Sequence, residues 1–126
     1  AIDMHKGQIL WKIANAETPD NVRNNPALRG MNIPRTGRSA NTIGLLVTKT
    51  LLVVGEPGVF TLPDGRRGAM LRAYDKVSGT EVGAVYMPAG QTGTPMTYSL
   101  AGRQYIVVAI GGQNYNSEFV AFRLPN

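Results

Sequence analysis

The sequence predicts an all-β fold built from four-stranded antiparallel sheets. From Gly44 onward, short apolar and β-branched runs alternate with turn residues, which is typical of strands rather than helices. The 126 residues include 15 Gly and 8 Pro and are 43% hydrophobic, a balance that suits one turn-rich globular domain. An A-x-D-x-x-x-G element occurs twice, starting at Ala1 and at Ala73, which indicates a repeated unit.

The middle of the chain contains one complete unit, which we assign to residues 41–88. Its four predicted strands are Leu45 to Thr48, Leu51 to Gly55, Met70 to Tyr74 and Glu81 to Tyr86. The strands form two hairpins, because Lys49-Thr50 separates the first pair and the run from Asp75 to Gly79 separates the second.

The unit that follows, residues 89–126, lacks its fourth strand. Its three predicted strands are Met96 to Ser99, Gln104 to Ile110 and Glu118 to Leu124. We assign residues 1–14 as a closing strand that completes this sheet. Four-stranded sheets repeated around an axis are the blades of a β-propeller, so about two blades are predicted.

Residues 15–40 predict a long surface loop. The stretch has no sustained period and is interrupted by Pro19, Pro26 and Pro34. Its four arginines, which we expect to be solvated, are Arg23, Arg29, Arg35 and Arg38. A loop this long in a compact domain is either functional or mobile.

Composition excludes several functions. The net charge of +5 comes without a recognition helix or an RNA-binding signature, so nucleic acid is not an expected partner. No apolar run is long enough to span a bilayer. There is no cysteine, and His5 is the only histidine, so neither a Cys-based nor a His-rich metal site is expected.

The first A-x-D-x-x-x-G element continues to Trp11, and the resulting A-x-D-x-x-x-G-x-x-x-W pattern resembles the tryptophan-docking motif of eight-bladed quinoprotein dehydrogenases. The second copy departs from that motif, because Gly83 stands where the tryptophan would be. The segments 71–79, 87–98, 102–112 and 119–125 resemble the last two blades of membrane-type glucose, polyol and quinate dehydrogenases.

This resemblance implies an eight-bladed propeller that uses pyrroloquinoline quinone (PQQ) above a divalent metal, usually calcium. The cofactor takes hydride from an alcohol or sugar, and the family resemblance implies a periplasmic enzyme. The family's metal ligands and catalytic aspartate belong to earlier blades. We therefore assign no catalytic residue and no metal ligand in this chain, which we expect to be inactive alone.

The resemblance also identifies candidate cofactor-binding residues on the innermost strand of the penultimate blade. They are Asn41, Gly44 and Leu45. A structural explanation stays open: Asn41 would cap or turn the backbone, and Gly44 would allow close approach near a crowded axis.

Three functional hypotheses follow. In the first, the chain is the C-terminal portion of a PQQ-dependent dehydrogenase, and its partners are the remaining blades. In the second, it is a non-catalytic module that joins further copies of itself into a ring for ligand or protein binding. In the third, an unrelated β-sandwich or barrel carries the repeated turn by chance.

Overall fold

The computed structural model describes residues 1–39, 43–112 and 114–123, and antiparallel strands dominate these ranges. The strands are β1 (Ile2–Asp3), β2 (Gln8–Ile9), β3 (Leu46–Val47), β4 (Leu51–Gly55), β5 (Phe60–Thr61), β6 (Arg67–Asp75), β7 (Glu81–Met87), β8 (Gly90–Gln91), β9 (Met96–Leu100), β10 (Arg103–Gly112) and β11 (Tyr115–Arg123). The predicted all-β class is confirmed.

The first sheet contains the four strands predicted for residues 41–88. Its strands run in the order β3, β4, β6, β7, and the short β5 pairs with the N-terminal end of β6 beside β4. The register places Val53 opposite Ala73, and Ala73 opposite Gly83. The strand β5 was not predicted, because two residues are too few to show a period.

The second sheet has β10 at its centre. Both β8 and β9 pair with one edge of β10, while β11 pairs with the other edge. Only residues 92–95 separate β8 from β9, so these two strands act as one interrupted strand along the same edge of β10. The sheet is therefore three strands wide. In the described part of the chain, the outer edge of β11 has no strand beside it.

The two sheets bury one apolar core between them. Alternation along β6 turns Ala69 and Leu71 toward this core, where they meet Val108 and Ile110 of β10. The full buried cluster is Val53, Ala69, Leu71, Met87, Ala89, Val108 and Ile110. Burial of each large apolar side chain stabilises the fold by about 1.5–3 kcal/mol. This contact therefore determines how the two sheets pack.

The N-terminal segment forms a small hairpin in which β1 pairs with β2. Beyond it, Trp11 packs on the turn of the first sheet: its indole Nε1 donates a hydrogen bond of 3.3 Å to the carbonyl of Lys76. The assignment of residues 1–14 as the closing strand of the second sheet stays a prediction, since within the described residues β1 and β2 pair only with each other.

The assignment of residues 15–40 as a long surface loop stays a prediction, but its described part, residues 15–39, is not uniformly solvated. The segment contains a short helix, α1 (Asp20–Arg23), and a 3-10 turn at Pro26–Leu28, and it buries Ala16, Glu17 and Thr18. Ion pairs with buried or half-buried carboxylates explain why it is not simply solvated. In the described part of the chain, no helix has the length and apolar character needed to cross a membrane.

The docking of Trp11 can be tested with two matched glycine substitutions. Gly79 and Gly102 have similar φ angles of 76° and 73°. A Cβ at Gly79 would lie 2.7 Å from Trp11 Cδ2, whereas one at Gly102 would meet nothing within 4 Å. Both Ala variants carry the left-handed backbone cost of about 1–2 kcal/mol. We expect Gly79→Ala to lose a further ~1–3 kcal/mol by overpacking.

Urea unfolding and Trp11 emission measure this difference. Gly79→Ala should shift the emission toward that of exposed tryptophan, and Gly102→Ala should leave it unchanged. Equal stability losses together with identical emission in the two variants would show that Trp11 does not pack on this turn.

Candidate functional site at the inner strand edge

The residues before β3 form the inner edge at which the two sheets meet. A Cβ added to Gly44 would lie 2.8 Å from Thr94 Cα, so the backbone of the first sheet passes directly against the link between β8 and β9. Such an approach leaves no room for a side chain, and glycine is therefore required here. This geometry agrees with the structural explanation for Gly44.

Gln91 on β8 holds this edge together. Its side-chain Nε2 donates to the Gly44 carbonyl at 2.8 Å, and its Oε1 accepts from the Gly55 backbone N–H at 2.6 Å. The backbone N–H of Gln91 donates to the Glu56 carbonyl at 2.8 Å. Gln91 is buried. Because it is a single polar residue in a two-residue strand, no sequence period pointed to it.

Two of the three predicted cofactor-binding residues, Gly44 and Leu45, lie within the described residues. Gly44 is committed to the contact with the second sheet. Leu45 is 52% exposed and presents an apolar surface beside that contact. Asn41 lies outside the described residues. Their assignment to cofactor binding stays a prediction.

The described residues at this edge do not make a complete site for PQQ and a metal. Gln91 already uses the Gly44 carbonyl, and Thr94 fills the space beside its Cα. Across the described ranges, no group of three or more His, Cys, Asp or Glu side chains is placed to hold a metal ion.

A second polar arrangement lies on the opposite face of the first sheet and centres on Arg72 of β6. Arg72 Nη2 contacts Glu17 Oε1 at 2.6 Å and Glu56 Oε1 at 2.8 Å, while its Nη1 contacts Glu81 Oε1 at 2.9 Å. Arg72 and Glu56 are 5% and 0% exposed. Glu56 Oε2 also accepts from the Met70 backbone N–H at 2.9 Å.

Two further arginines complete this charged cluster and balance its charge. Arg35 Nη2 binds Glu81 Oε2 at 2.9 Å, and Arg23 Nη2 lies 3.5 Å from Glu17 Oε2. Three guanidinium groups therefore face three carboxylates. Since Glu17, Arg23 and Arg35 belong to the segment before the sheet, the cluster fastens that segment to β6, to β7 and to the residue that follows β4.

The protonation of the cluster follows from burial and charge. Burial raises the pKa of Glu56, although hydrogen bonds and charge from Arg72 oppose the rise. Burial also disfavours the charged form of Glu81, but hydrogen bonds and charge from Arg35 and Arg72 outweigh it and lower the pKa of Glu81. For Arg72, burial is outweighed by Glu56, Glu81 and Glu17, so its pKa is raised and it stays charged.

This cluster has the properties of a structural support. In the described residues, no buried side-chain nitrogen or oxygen lacks a hydrogen-bond partner. Its charged groups are thus engaged with one another. Arg23 and Arg35 were predicted only as solvated charges, because the cluster joins parts of the chain that are distant in sequence.

Two antiparallel sheets packed face to face, with their first strands meeting at one edge, are the arrangement of neighbouring propeller blades. A family model described as the PQQ glucose/ethanol/alcohol dehydrogenase β-propeller domain matches residues 1–106. The chain belongs to this family.

Curated relatives agree with this membership. The chain is 27% identical over 133 residues to quinoprotein glucose dehydrogenase A of Acinetobacter calcoaceticus, covering 99% of this chain and 15% of that protein. It is 27% identical over 135 residues to quinoprotein glucose dehydrogenase of Escherichia coli (strain K12), covering 100% of this chain and 15% of the relative.

A third relative is quinate/shikimate dehydrogenase (quinone) of Acinetobacter baylyi, which is 28% identical over 118 residues, covering 89% of this chain and 13% of that protein. The chain therefore spans about one seventh of the length of these relatives, as the 13–15% coverage shows. No solved structure matches the chain.

The charged cluster predicts a large effect for Arg72→Ala. Removing the guanidinium leaves Glu56 buried with one remaining donor, the Met70 N–H. Breaking a buried ion pair in this way costs about 3–5 kcal/mol. Chemical denaturation of the purified variant measures the loss, and Arg72→Lys, which keeps the charge without the planar fork, should lose less.

Arg66→Ala is the control, because Arg66 and its partner Asp64 have side chains that are 58% and 49% exposed. We expect a change within about 1 kcal/mol for that variant. Similar losses for Arg72→Ala and Arg66→Ala would contradict the structural role given to the cluster.

Proposed function

We propose that this chain supplies two blades of the propeller of a PQQ-dependent dehydrogenase that oxidises an alcohol or a sugar, and that it is not catalytic alone. The observation that carries this proposal is the close contact of the two sheets at Gly44 and Gln91, in a chain that belongs to the PQQ family. The similarity to glucose and quinate/shikimate dehydrogenases supports an alcohol or sugar substrate.

The proposed contribution to the cofactor site is an apolar wall. When bound, PQQ supplies the capacity to accept hydride from the alcohol carbon. The exposed side chain of Leu45 would exclude water from one side of the cofactor, and Asn41 would provide a polar neighbour. The ligands of the divalent metal, which we expect to be calcium, and the catalytic base would come from blades outside this chain.

We further propose a periplasmic location for the complete enzyme. The support is the resemblance to quinoprotein dehydrogenases together with the bacterial origin of the relatives. The remaining blades would be the chain's principal partners.

The wall can be tested in the full-length dehydrogenase that contains this chain. Leu45→Asn should weaken PQQ binding by about tenfold, because it exchanges apolar contact for a polar side chain that needs solvation. Titration of the metal-loaded apoenzyme with PQQ, followed by protein fluorescence and by recovery of alcohol oxidation, gives the dissociation constant.

Leu100→Asn is the matched control, since Leu100 is 60% exposed at the end of β9 next to the turn into β10. It should bind PQQ as the unchanged enzyme does. If Leu45→Asn and Leu100→Asn have the same PQQ affinity as the parent, Leu45 is not part of the cofactor wall. Alcohol oxidation by the isolated 126-residue chain would overturn the non-catalytic role.

One observation favours the alternative of a ring-forming module. Within the described residues β11, nine residues long, has no strand along its outer edge. An unpaired edge of this length is a template for pairing with another chain. Further copies of this chain would satisfy that edge and build a closed assembly for ligand or protein binding.

A further inference from the structure

An apolar groove of about 690 Å³ lies between the two sheets, at the end of β3 opposite to Gly44. Val53, Leu71 and Val85 form one wall, and Ile106 and Phe122 form the other. Several of these residues also pack against the buried core, so the groove is a continuation of the interface between the sheets. Its volume is within the range of small-molecule sites, roughly 300–1,000 Å³.

The groove is open beside Gly83, the third residue of β7. A Cβ added at Gly83 would meet no atom within 4 Å. Gly83 is opposite Ala73 in the register, and Val85 is opposite Leu71, so a side chain at position 83 would point from the same face as these groove residues. A side chain at position 83 would therefore fill part of the groove, and glycine leaves that space open.

Comparison of the two repeat copies shows what kind of group is absent. Trp11 in the first copy occupies the position that Gly83 occupies in the second. In the structure, the Trp11 ring lies against the backbone of a neighbouring turn, with ring atoms 2.7–3.0 Å from the position of a Cβ on Gly79. The first copy thus carries an aromatic ring at this position of the repeat, and the second copy has no side chain there.

The rim of the groove is cationic. Lys49 and Arg123 border it, and no Asp or Glu is among its described lining residues. Neither cation is in an ion pair with any residue of the described ranges. An anionic group at the rim would therefore gain favourable electrostatic interactions without displacing an existing partner.

We propose that this groove binds a small planar aromatic molecule that carries an acidic substituent. The ring lies over Gly83 between the walls made by Leu71 and Phe122, and the acidic group faces Lys49 and Arg123. The site is separate from the inner edge at Gly44 and Leu45, and the proposal does not depend on PQQ chemistry.

The probe for this site is 2-naphthoate, with neutral 2-naphthalenemethanol as its uncharged counterpart. Nuclear magnetic resonance titration of the purified chain should show saturable shifts at Gly83 and Val85, with contacts from naphthoate protons to the Phe122 ring. Lys49→Gln should weaken naphthoate binding by at most about fivefold, as expected for an exposed charge, and should leave binding of the alcohol unchanged.

Gly83→Trp is the decisive variant, because it places a ring in the groove; binding of both probes should be lost. Val82→Trp is the control: Val82 is the neighbouring β7 residue, is 56% exposed and does not border the groove. That variant should bind naphthoate with unchanged affinity. The contacts to Phe122 in the parent chain test the site even if Gly83→Trp fails to fold.

The same titration in the full-length dehydrogenase separates a ligand site from a space that the rest of the polypeptide fills. Saturable binding in both proteins, blocked by Gly83→Trp, is the expected result. The proposal is wrong if the parent chain shows no saturable binding, if Gly83→Trp binds normally, or if the full-length protein does not bind the probe.

Discussion

The apolar contact between the two sheets is the interaction on which the other features depend. It commits one face of β6 to the core, where Leu71 meets Val108 and Ile110. Because side chains alternate along a strand, the neighbouring Arg72 and Tyr74 must then point to the other face. That face needs a separate cover, which the segment at residues 15–39 provides. The same contact brings Gly44 against Thr94 and leaves Gly83 at an open groove.

The segment that covers the second face contacts it through polar and charged side chains. A buried arginine is costly unless its donors are satisfied, and Arg72 is satisfied by three carboxylates from distant parts of the chain. Tyr74 adds a neutral link, since its hydroxyl lies 3.2 Å from Asn15 Oδ1, while Asn15 Nδ2 donates to the Gly55 carbonyl. These directional bonds give an irregular segment a defined path that apolar packing alone would not specify.

The strands were predictable from sequence because apolar runs and turn residues record them locally. Leu51–Gly55 was predicted with the bounds that the structure has, and the Trp11 element was found through its own repeat. Gln91 and the Arg72 cluster were not predictable, since their partners are brought together only by folding. Glu56 and Arg72, for example, are joined by β4 and β6 pairing across a long connection.

Prediction of the candidate site was limited for a related reason. The resemblance pointed to Gly44 and Leu45, but sequence gave no means of knowing that Thr94 and Gln91 would occupy the space and hydrogen bonds around Gly44. A propeller's axial site is assembled from several blades, so the residues of two blades can define only part of its wall.

The central claim is that this chain forms part of a larger propeller and does not assemble a complete one from copies of itself. Light scattering on the purified chain, coupled to size-exclusion chromatography, tests this most directly. The account predicts the mass of a monomer, 13.5 kDa. A defined closed assembly with about four times that mass, giving the eight blades of a complete ring, would contradict it.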